Sequence, residues 1–435
     1  MRNLKIAAAV SLALGGISAA HAQATVAQCK GTPADTLYIA GSSAAQNAFG
    51  AALATDLFGG AANELTFKAS NGNFEAFCGL AATGNTAGIT AGNLVVVHYR
   101  AEGGSVVGAL PIATNKTVKF LDLTNAAVTS TSITTGGTSE AQGPSDAWTG
   151  PLTQHSVEVG ITDVEPGILV GPNYPTTYST TIFGSATASQ LGALSHTALF
   201  QEVYGLFVNT SGINGGATGQ ILNLDKNTVG AILAGSITDW SQVPSGTGVV
   251  SSTSKAITVV NREVGSGTRT GAGIYFLNIG CSGSAAINDP NPGTDSYATS
   301  DALAAAAGIP GSITYASIDN AGKQAALSIA NLNGIVPSNF NATNGSYDWW
   351  TEAQLVKGTI TSTGGSTLYT WLVTELAKVS TAPHTTDINA IPGVAGNTPS
   401  APPATANTLG GTSIYVNPFT KGGNKTNSCA APSYL

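Results

Sequence analysis

The sequence predicts an α/β protein with a mostly parallel sheet in each of its two halves, flanked by helices. Three observations lead there. Short apolar strands alternate with amphipathic helices along the whole 435-residue chain. Three of those strands run into glycine- and hydroxyl-bearing turns, as the first half of a βα unit does. Finally, 42% of the residues are apolar and only 9% are charged, so the chain can fill a core beneath a neutral, Ser/Thr/Asn-rich surface.

The elements follow in order. Residues 36–40 (TLYIA) are a strand ending in Gly41-Ser42-Ser43, and residues 44–57 are a helix with few breakers. Residues 65–69 and 94–99 are further strands, the second Val-rich enough to be buried on both faces. Arg100 to Ser105 makes the next turn, 106–112 begins a helix, and 113–155 is a Thr/Ser/Gly-rich hairpin or loop excursion. Residues 157–162 (VEVGIT) return to strand and deliver Asp163. In the second half, 202–209 is a strand, 227–234 a helix capped by Asn227, 256–260 a strand and 268–279 a helix. Residues 312–317 and 332–337 add strands, 366–378 is an amphipathic helix, and 380–408 is a Pro/Thr/Asn/Ala stretch without an element.

Residues 1–22 stand apart. Arg2 and Lys5 precede an apolar run and Ala20-His21-Ala22, the layout of a cleaved export signal with no cysteine for a lipid anchor. No later apolar run is long enough to span a bilayer, so no direct membrane insertion is expected. In an oxidising compartment, the four cysteines are expected to form two disulfides. Of three pairings, Cys29 with Cys78 and Cys281 with Cys429 is preferred, because the first ties two neighbouring early segments and the second pins the tail. C-x-x-C spacing is absent and no metal site or cofactor is expected. A net charge of -7 argues against nucleic acid.

The sharpest local signal is Arg262-Glu263-Val264-Gly265-Ser266-Gly267-Thr268, set between a strand and a helix. Such a turn aims backbone N–H groups and hydroxyls at one spot, and the helix start and Arg262 add positive charge. Ser42, Ser43 and Ala44 form a second turn of this type, for which helix capping is the plain alternative; Arg100 to Ser105 is a third, for which a solvated Arg100–Glu102 pair is the alternative. Asp163 discriminates: a carboxylate among anion donors repels a fully ionised anion but accepts a hydrogen bond from one that keeps a proton, as monohydrogen phosphate does and sulfate does not.

These residues resemble, in order, the periplasmic phosphate-binding proteins of ABC transporters and their secreted relatives, within the type II periplasmic-binding-protein fold. The family's opening strand, turn and helix look like residues 37–49, its strand ending in Thr-Asp looks like Ile161-Thr162-Asp163, and its Leu/Gly-rich helix looks like residues 228–240. Its Arg-x-x-Gly-Ser-Gly-Thr motif is matched in full by Arg262, Gly265, Ser266, Gly267 and Thr268. The resemblance implies a two-lobed binding protein, not an enzyme, that encloses inorganic phosphate and passes it to a permease. Its ligands would be Ser42, Ser43, Ala44, Ser105, Asp163, Arg262, Ser266, Gly267 and Thr268, with Arg100 as an extra anion contact. Lobe one would hold residues 24–205 and 340–435, lobe two residues 206–339, and the exported protein would be a periplasmic or secreted monomer. Two departures stand out. The family often has an Asp two residues after the Arg to hold it; here that position is Val264, which makes Glu102 a candidate holder. Ser70 competes with Ser105 as the second serine ligand. The rival readings are a structural or adhesive secreted protein on the same fold, and a phosphatase, for which the five histidines provide no recognised motif.

Overall fold

A computed structural model describes residues 23–70, 72–136, 148–176, 178–215, 220–246, 248–279 and 296–376, with 390–392, 407–409, 412–414, 419–421 and 427–434 in the tail. The expected leader at 1–22 and Cys281 lie outside the described residues. In chain order the elements that matter for function are β1 (Asp35–Gly41), α1 (Gln46–Ala52, continued by a π-turn over Leu53–Leu57), β2 (Glu64–Ala69), β3 (Phe74–Leu80), β4 (Leu94–Arg100), α2 (Gly104–Thr114) and β5 (Val159–Thr162). They are followed by β6 (His196–Val208), α3 (Lys226–Leu233), β7 (Thr258–Val259), α4 (Gly267–Leu277), α5 (Thr299–Ala307), β8 (Ser312–Ser317), β9 (Ser328–Leu332), β10 (Trp350–Lys357) and α6 (Thr363–Leu376).

One continuous sheet runs through both halves in the order β9-β6-β10-β5-β1-β4-β3-β2, with β7 and β8 joined to β6 through β8. The sheet is mixed, which refines the expectation of mostly parallel halves. Parallel pairing holds β1 between β4 and β5, and β7 beside β8. The strands that pass between the halves pair antiparallel: β10 lies between β5 and β6, and β8 and β9 both pair with β6. These antiparallel partners are far apart in sequence, so long connections through the other half of the chain bring them together.

The 13-residue β6 is the element common to both halves. Its first part pairs with β10, from Thr197 opposite Leu355 to Val203 opposite Trp350. Its last part pairs with β8 and β9, through Tyr204 opposite Ser317 and Leu206 opposite Ala330. One core packs Leu37, Phe49, Val97, Ile161, Leu355 and Leu368 together, so α1 and α6 cover the β1 region. A second packs Val203, Val229, Trp240, Phe276, Ile313 and Trp349, which brings α3 and α4 onto the far end of β6. The near-continuous Val, Leu and Phe of these strands reflects burial on both faces.

Several local expectations shift. The helix over Lys226–Leu233 is capped by Asp225, whose side chain accepts from Thr228 N at 2.9 Å, and not by Asn227. The strand expected at 332–337 lies earlier, at β9, because Asn333 and Gly334 both take positive φ and close a tight turn after Leu332. Within the 113–155 excursion, Thr117–Leu121 pairs antiparallel with Leu152–Ser156, while 137–147 is outside the described residues. Most of 380–408 is also outside them, although Ala390–Pro392 adds to the edge of β6. Cys29 and Cys78 form a disulfide that pins the N-terminal segment to β3, a strand not foreseen in the sequence. Cys429 is also disulfide-bonded.

Helix α2 rides directly on β5. A Cβ at Gly160 would overlap the Gly108 carbonyl, and one at Gly108 would come within 2.9 Å of the Ala40 carbonyl oxygen. Neither strand nor helix backbone can yield, so Gly160→Ala is expected to cost about 3 kcal/mol. Thermal unfolding measures it: a melting temperature equal to the parent's would contradict the close approach of α2 to β5.

Candidate functional site

The strand-end turns meet where the two cores face each other. Ser105 is the second residue of α2, and the turn before it is sharp: Gly103 and Gly104 both have positive φ, a conformation that favours glycine. Gly267 opens α4, with Ser266 as N-cap accepting from Arg269 N at 3.3 Å. Thr299 opens α5. Three helix N-termini therefore bring their first-turn N–H groups and partial positive charge toward one cleft.

Asp163 occupies the centre. Its backbone N–H donates to Ser105 Oγ at 3.0 Å, and its Oδ2 accepts from Thr268 Oγ1 at 3.0 Å across the cleft. Gly267 packs so closely that a Cβ would overlap Ser105 Oγ and sit 2.9 Å from Asp163 Oδ2. The carboxyl is 2% exposed. Burial pushes its pKa up, opposed by the Ser42 hydroxyl, the Arg262 charge and the Thr268 hydroxyl.

Arg262 is 1% exposed and reaches the same region from the other side. Its Nε donates to Ser296 O at 3.1 Å and its Nη1 to Thr299 Oγ1 at 2.9 Å. Thr299 also binds Ser43 across the cleft: the two hydroxyl oxygens are 2.8 Å apart and Thr299 N donates to Ser43 Oγ at 3.1 Å. Ser42 Oγ accepts from Ala44 N at 3.1 Å, the capping arrangement that was the plain alternative for this turn, although its hydroxyl also acts on Asp163. The cleft is closed by backbone contacts as well, since Val106 N donates to Gly265 O at 2.9 Å.

Arg100 does not face this cleft. Its guanidinium pairs with the Glu102 carboxylate, donates to Lys119 O at 3.3 Å and lies between the Phe74 and Phe183 rings. It is a buried structural pair, because a fully buried guanidinium needs a carboxylate and carbonyls around it. The same pairing removes Glu102 as the holder of Arg262. That role falls to Thr299, the carbonyls of Ser296 and Tyr297, and Glu263, whose Oε1 is 3.7 Å from Arg262 Nη2. Ser70 is exposed, with its hydroxyl 3.5 Å from Thr135 Oγ1.

Sequence reasoning missed Thr299, Glu263 and Glu202. Thr299 had a legible signal, a Thr-Ser-Asp start before an alanine run, which marks a helix N-terminus. Among the described residues no group of three or more His, Cys, Asp or Glu is placed to hold a metal ion, and no helix is long and apolar enough to cross a membrane.

Together these features define an α/β protein with an anion-donor cleft between two packing units. Residues 185–383 match the model of the PBP superfamily domain. No curated protein matches the chain. Among solved structures, a phosphate-binding protein from Stenotrophomonas maltophilia is 15% identical, with 82% of this chain and 91% of that one covered and a TM-score of 0.46. A putative phosphate ABC transporter substrate-binding protein from Clostridium perfringens, with bound phosphate, is 14% identical over 78% of this chain and 93% of that one, with a TM-score of 0.44. An ABC-type phosphate transport receptor from Vibrio cholerae is 13% identical over 82% and 99%, with a TM-score of 0.42.

Glu263 generates a pH prediction. Burial pushes its carboxyl up to about 8 from 4.5, against the Arg262 charge. The folded protein holds this proton where the unfolded chain has released it, so its contribution is full below about pH 4.5 and is lost as pH rises through about 8. Glu263→Gln, which cannot ionise, is expected to gain stability relative to the parent between pH 5 and 9. Urea midpoints of both proteins across that range check it; a constant difference would show that Glu263 does not titrate in this window.

Proposed function

We propose that the protein is an exported solute-binding protein that captures inorganic phosphate, as monohydrogen phosphate, in this cleft. The observation that carries the reading is Asp163, a buried carboxyl set against the N-terminus of α4 and the hydroxyls of Ser105 and Thr268. N–H groups, hydroxyls and Arg262 suit the oxygens of an anion, and Asp163 suits the one ligand oxygen that keeps a proton. A fully ionised sulfate has no such proton and meets Asp163 as a repulsive charge. The superfamily match spans the whole of Arg262–Thr268.

In this reading the lobes are residues 24–205 with 340–435, and 206–339. Ser43, Ser105 and Asp163 come from one lobe and Arg262 to Thr268 from the other. The changeover of β6 from β10 to β8, near Gly205, is the hinge about which they close. The protein acts in the periplasm or outside the cell, carries out no catalysis, and delivers phosphate to an ABC transporter permease.

Calorimetric titration of the purified mature protein with phosphate and sulfate is the direct test. Phosphate is expected to bind with a clear preference, and equal or absent heats for the two anions would sink the reading. Arg262→Ala is expected to weaken phosphate on the order of 100-fold, the loss typical of truncating one side of a buried charge-assisted contact. Ser70→Ala should leave affinity within roughly twofold, as an exposed hydroxyl outside the site does; the reverse order would move the second serine ligand to Ser70. A parallel assay for phosphate released from an ester is expected to stay at background.

A further inference from the structure

Beside Asp163 lies a second buried acid that the anion-donor motif does not call for. Glu202, on β6 just before the changeover, is 3% exposed and in hydrogen-bonding contact with the Asp163 carboxyl. The directions of the surrounding hydrogen bonds can be assigned. Thr351 Oγ1 donates to the Tyr204 hydroxyl at 3.1 Å, and that hydroxyl donates to Glu202 Oε2 at 2.6 Å. Thr268 donates to Asp163 Oδ2. The oxygens left over are Glu202 Oε1 and Asp163 Oδ1, both buried and both without a donor. With the two carboxyls in contact, a proton shared between these oxygens satisfies both at once, and like charges at contact cannot both ionise cheaply.

We propose that Glu202 is a positioning residue of the phosphate site: it carries a proton on Oε1 and donates it to Asp163 Oδ1, holding Asp163 as the ionised acceptor for the ligand's hydroxyl. The inference rests on the phosphate reading given above. The groups facing the pair agree on which acid keeps the proton. Asp319, from the turn after β8, is an acidic neighbour of Glu202, whereas the Arg262 charge acts on Asp163; Tyr99 from β4 faces both acids alike. Burial, then Asp163, pushes Glu202 well above the usual carboxylate range. Glu352 belongs to a different environment, since β10 places Thr351 and not Glu352 opposite Glu202. The site therefore presents one negative charge to a dianion rather than two. When Glu202 loses its proton the second charge appears beside the ligand, and binding falls.

The test is calorimetric titration of the whole mature protein with inorganic phosphate from pH 6 to 10, in the parent, Glu202→Gln and Tyr204→Phe. The ligand's own ionisation is common to all three and cancels in the ratio of their dissociation constants. Gln keeps a donor toward Asp163 but has no proton to lose, so the parent should weaken relative to E202Q toward a limit of about tenfold per pH unit above the inflection, the slope that one lost proton sets. Y204F removes a donor to Glu202 Oε2 and should move the parent's inflection to higher pH. A ratio of parent to E202Q that is flat with pH, or an inflection unmoved in Y204F, overturns the proposal. Infrared spectroscopy supplies a readout independent of ligand: a protonated-carboxyl C=O stretch at neutral pH that disappears in E202Q. If that band is present and lost as expected while neither protein binds phosphate, the shared proton stands and the phosphate reading falls. If the parent shows no such band, the shared proton itself is wrong.

Discussion

A carboxyl taken out of water must be matched by donors on every side, and Asp163 imposes that constraint on the whole cleft. With its side chain 2% exposed, its oxygens depend on Thr268, on Ser42 and on the field of Arg262. Meeting that demand dictates backbone shape. Gly267 has no Cβ because Ser105 and Asp163 fill the space, and Gly265 takes φ +99 so that the turn can descend onto α2. Gly103 and Gly104 do the same from the opposite side, which lets Glu263 and Ser266 approach within about a van der Waals contact of Gly104. A cluster of glycines that looks like loop composition in the sequence is here a set of close approaches around one acid.

The second constraint is continuity. Because β6 belongs to both packing units, its register places residues of one core and of the cleft on a single rigid ladder. Val203 and Tyr204 belong to the second core, while Leu199 and Phe200 belong to the first. Glu202 sits between these pairs, where the partner strand changes and where β10 has an irregularity between Glu352 and Gln354. Strand irregularities of this kind re-aim side chains near functional sites. The placement of a second acid beside Asp163 thus follows from the way the sheet is shared, not from any local motif.

That difference explains what could be read in the sequence. The turns around Ser42, Ser105 and Gly265 to Thr268 announce themselves because glycine, serine and threonine between a strand and a helix have few other uses, and the structure brings Ser105, Asp163 and Thr268 together. Arg100 carried the same outward signal, an arginine at a strand end before a Gly-Gly-Ser turn. Only the depth of its side chain shows that it serves the core, and depth is a property of packing between distant segments. Glu202 and Glu263 were invisible for a related reason. Glu202 lies in an unremarkable local context and Glu263 inside a motif read for its donors, and the chemistry of each is set first by burial, a property of packing between distant segments, with Asp163 acting on Glu202 and the adjacent Arg262 on Glu263. The mixed character of the sheet escaped because strand direction is decided by the long connections, whose composition carries no sign of direction.

The sparse charge of the chain gives this arrangement its meaning. With 9% charged residues, a buried ion cannot borrow partners from a crowded surface, so each one must be placed with its own counter-group. Arg100 and Glu102 satisfy one another within two residues, and the pair is complete. Arg262 is different: it is held by the hydroxyl of Thr299, by two carbonyls and by a carboxyl 3.7 Å away whose burial favours the protonated form. Neutral oxygens orient a guanidinium without cancelling its charge. A cation so oriented and so incompletely neutralised, acting on a buried acid whose neighbours are the Ser42 and Thr268 hydroxyls and the Glu202 carboxyl, leaves the cleft polarised between Arg262 and Asp163.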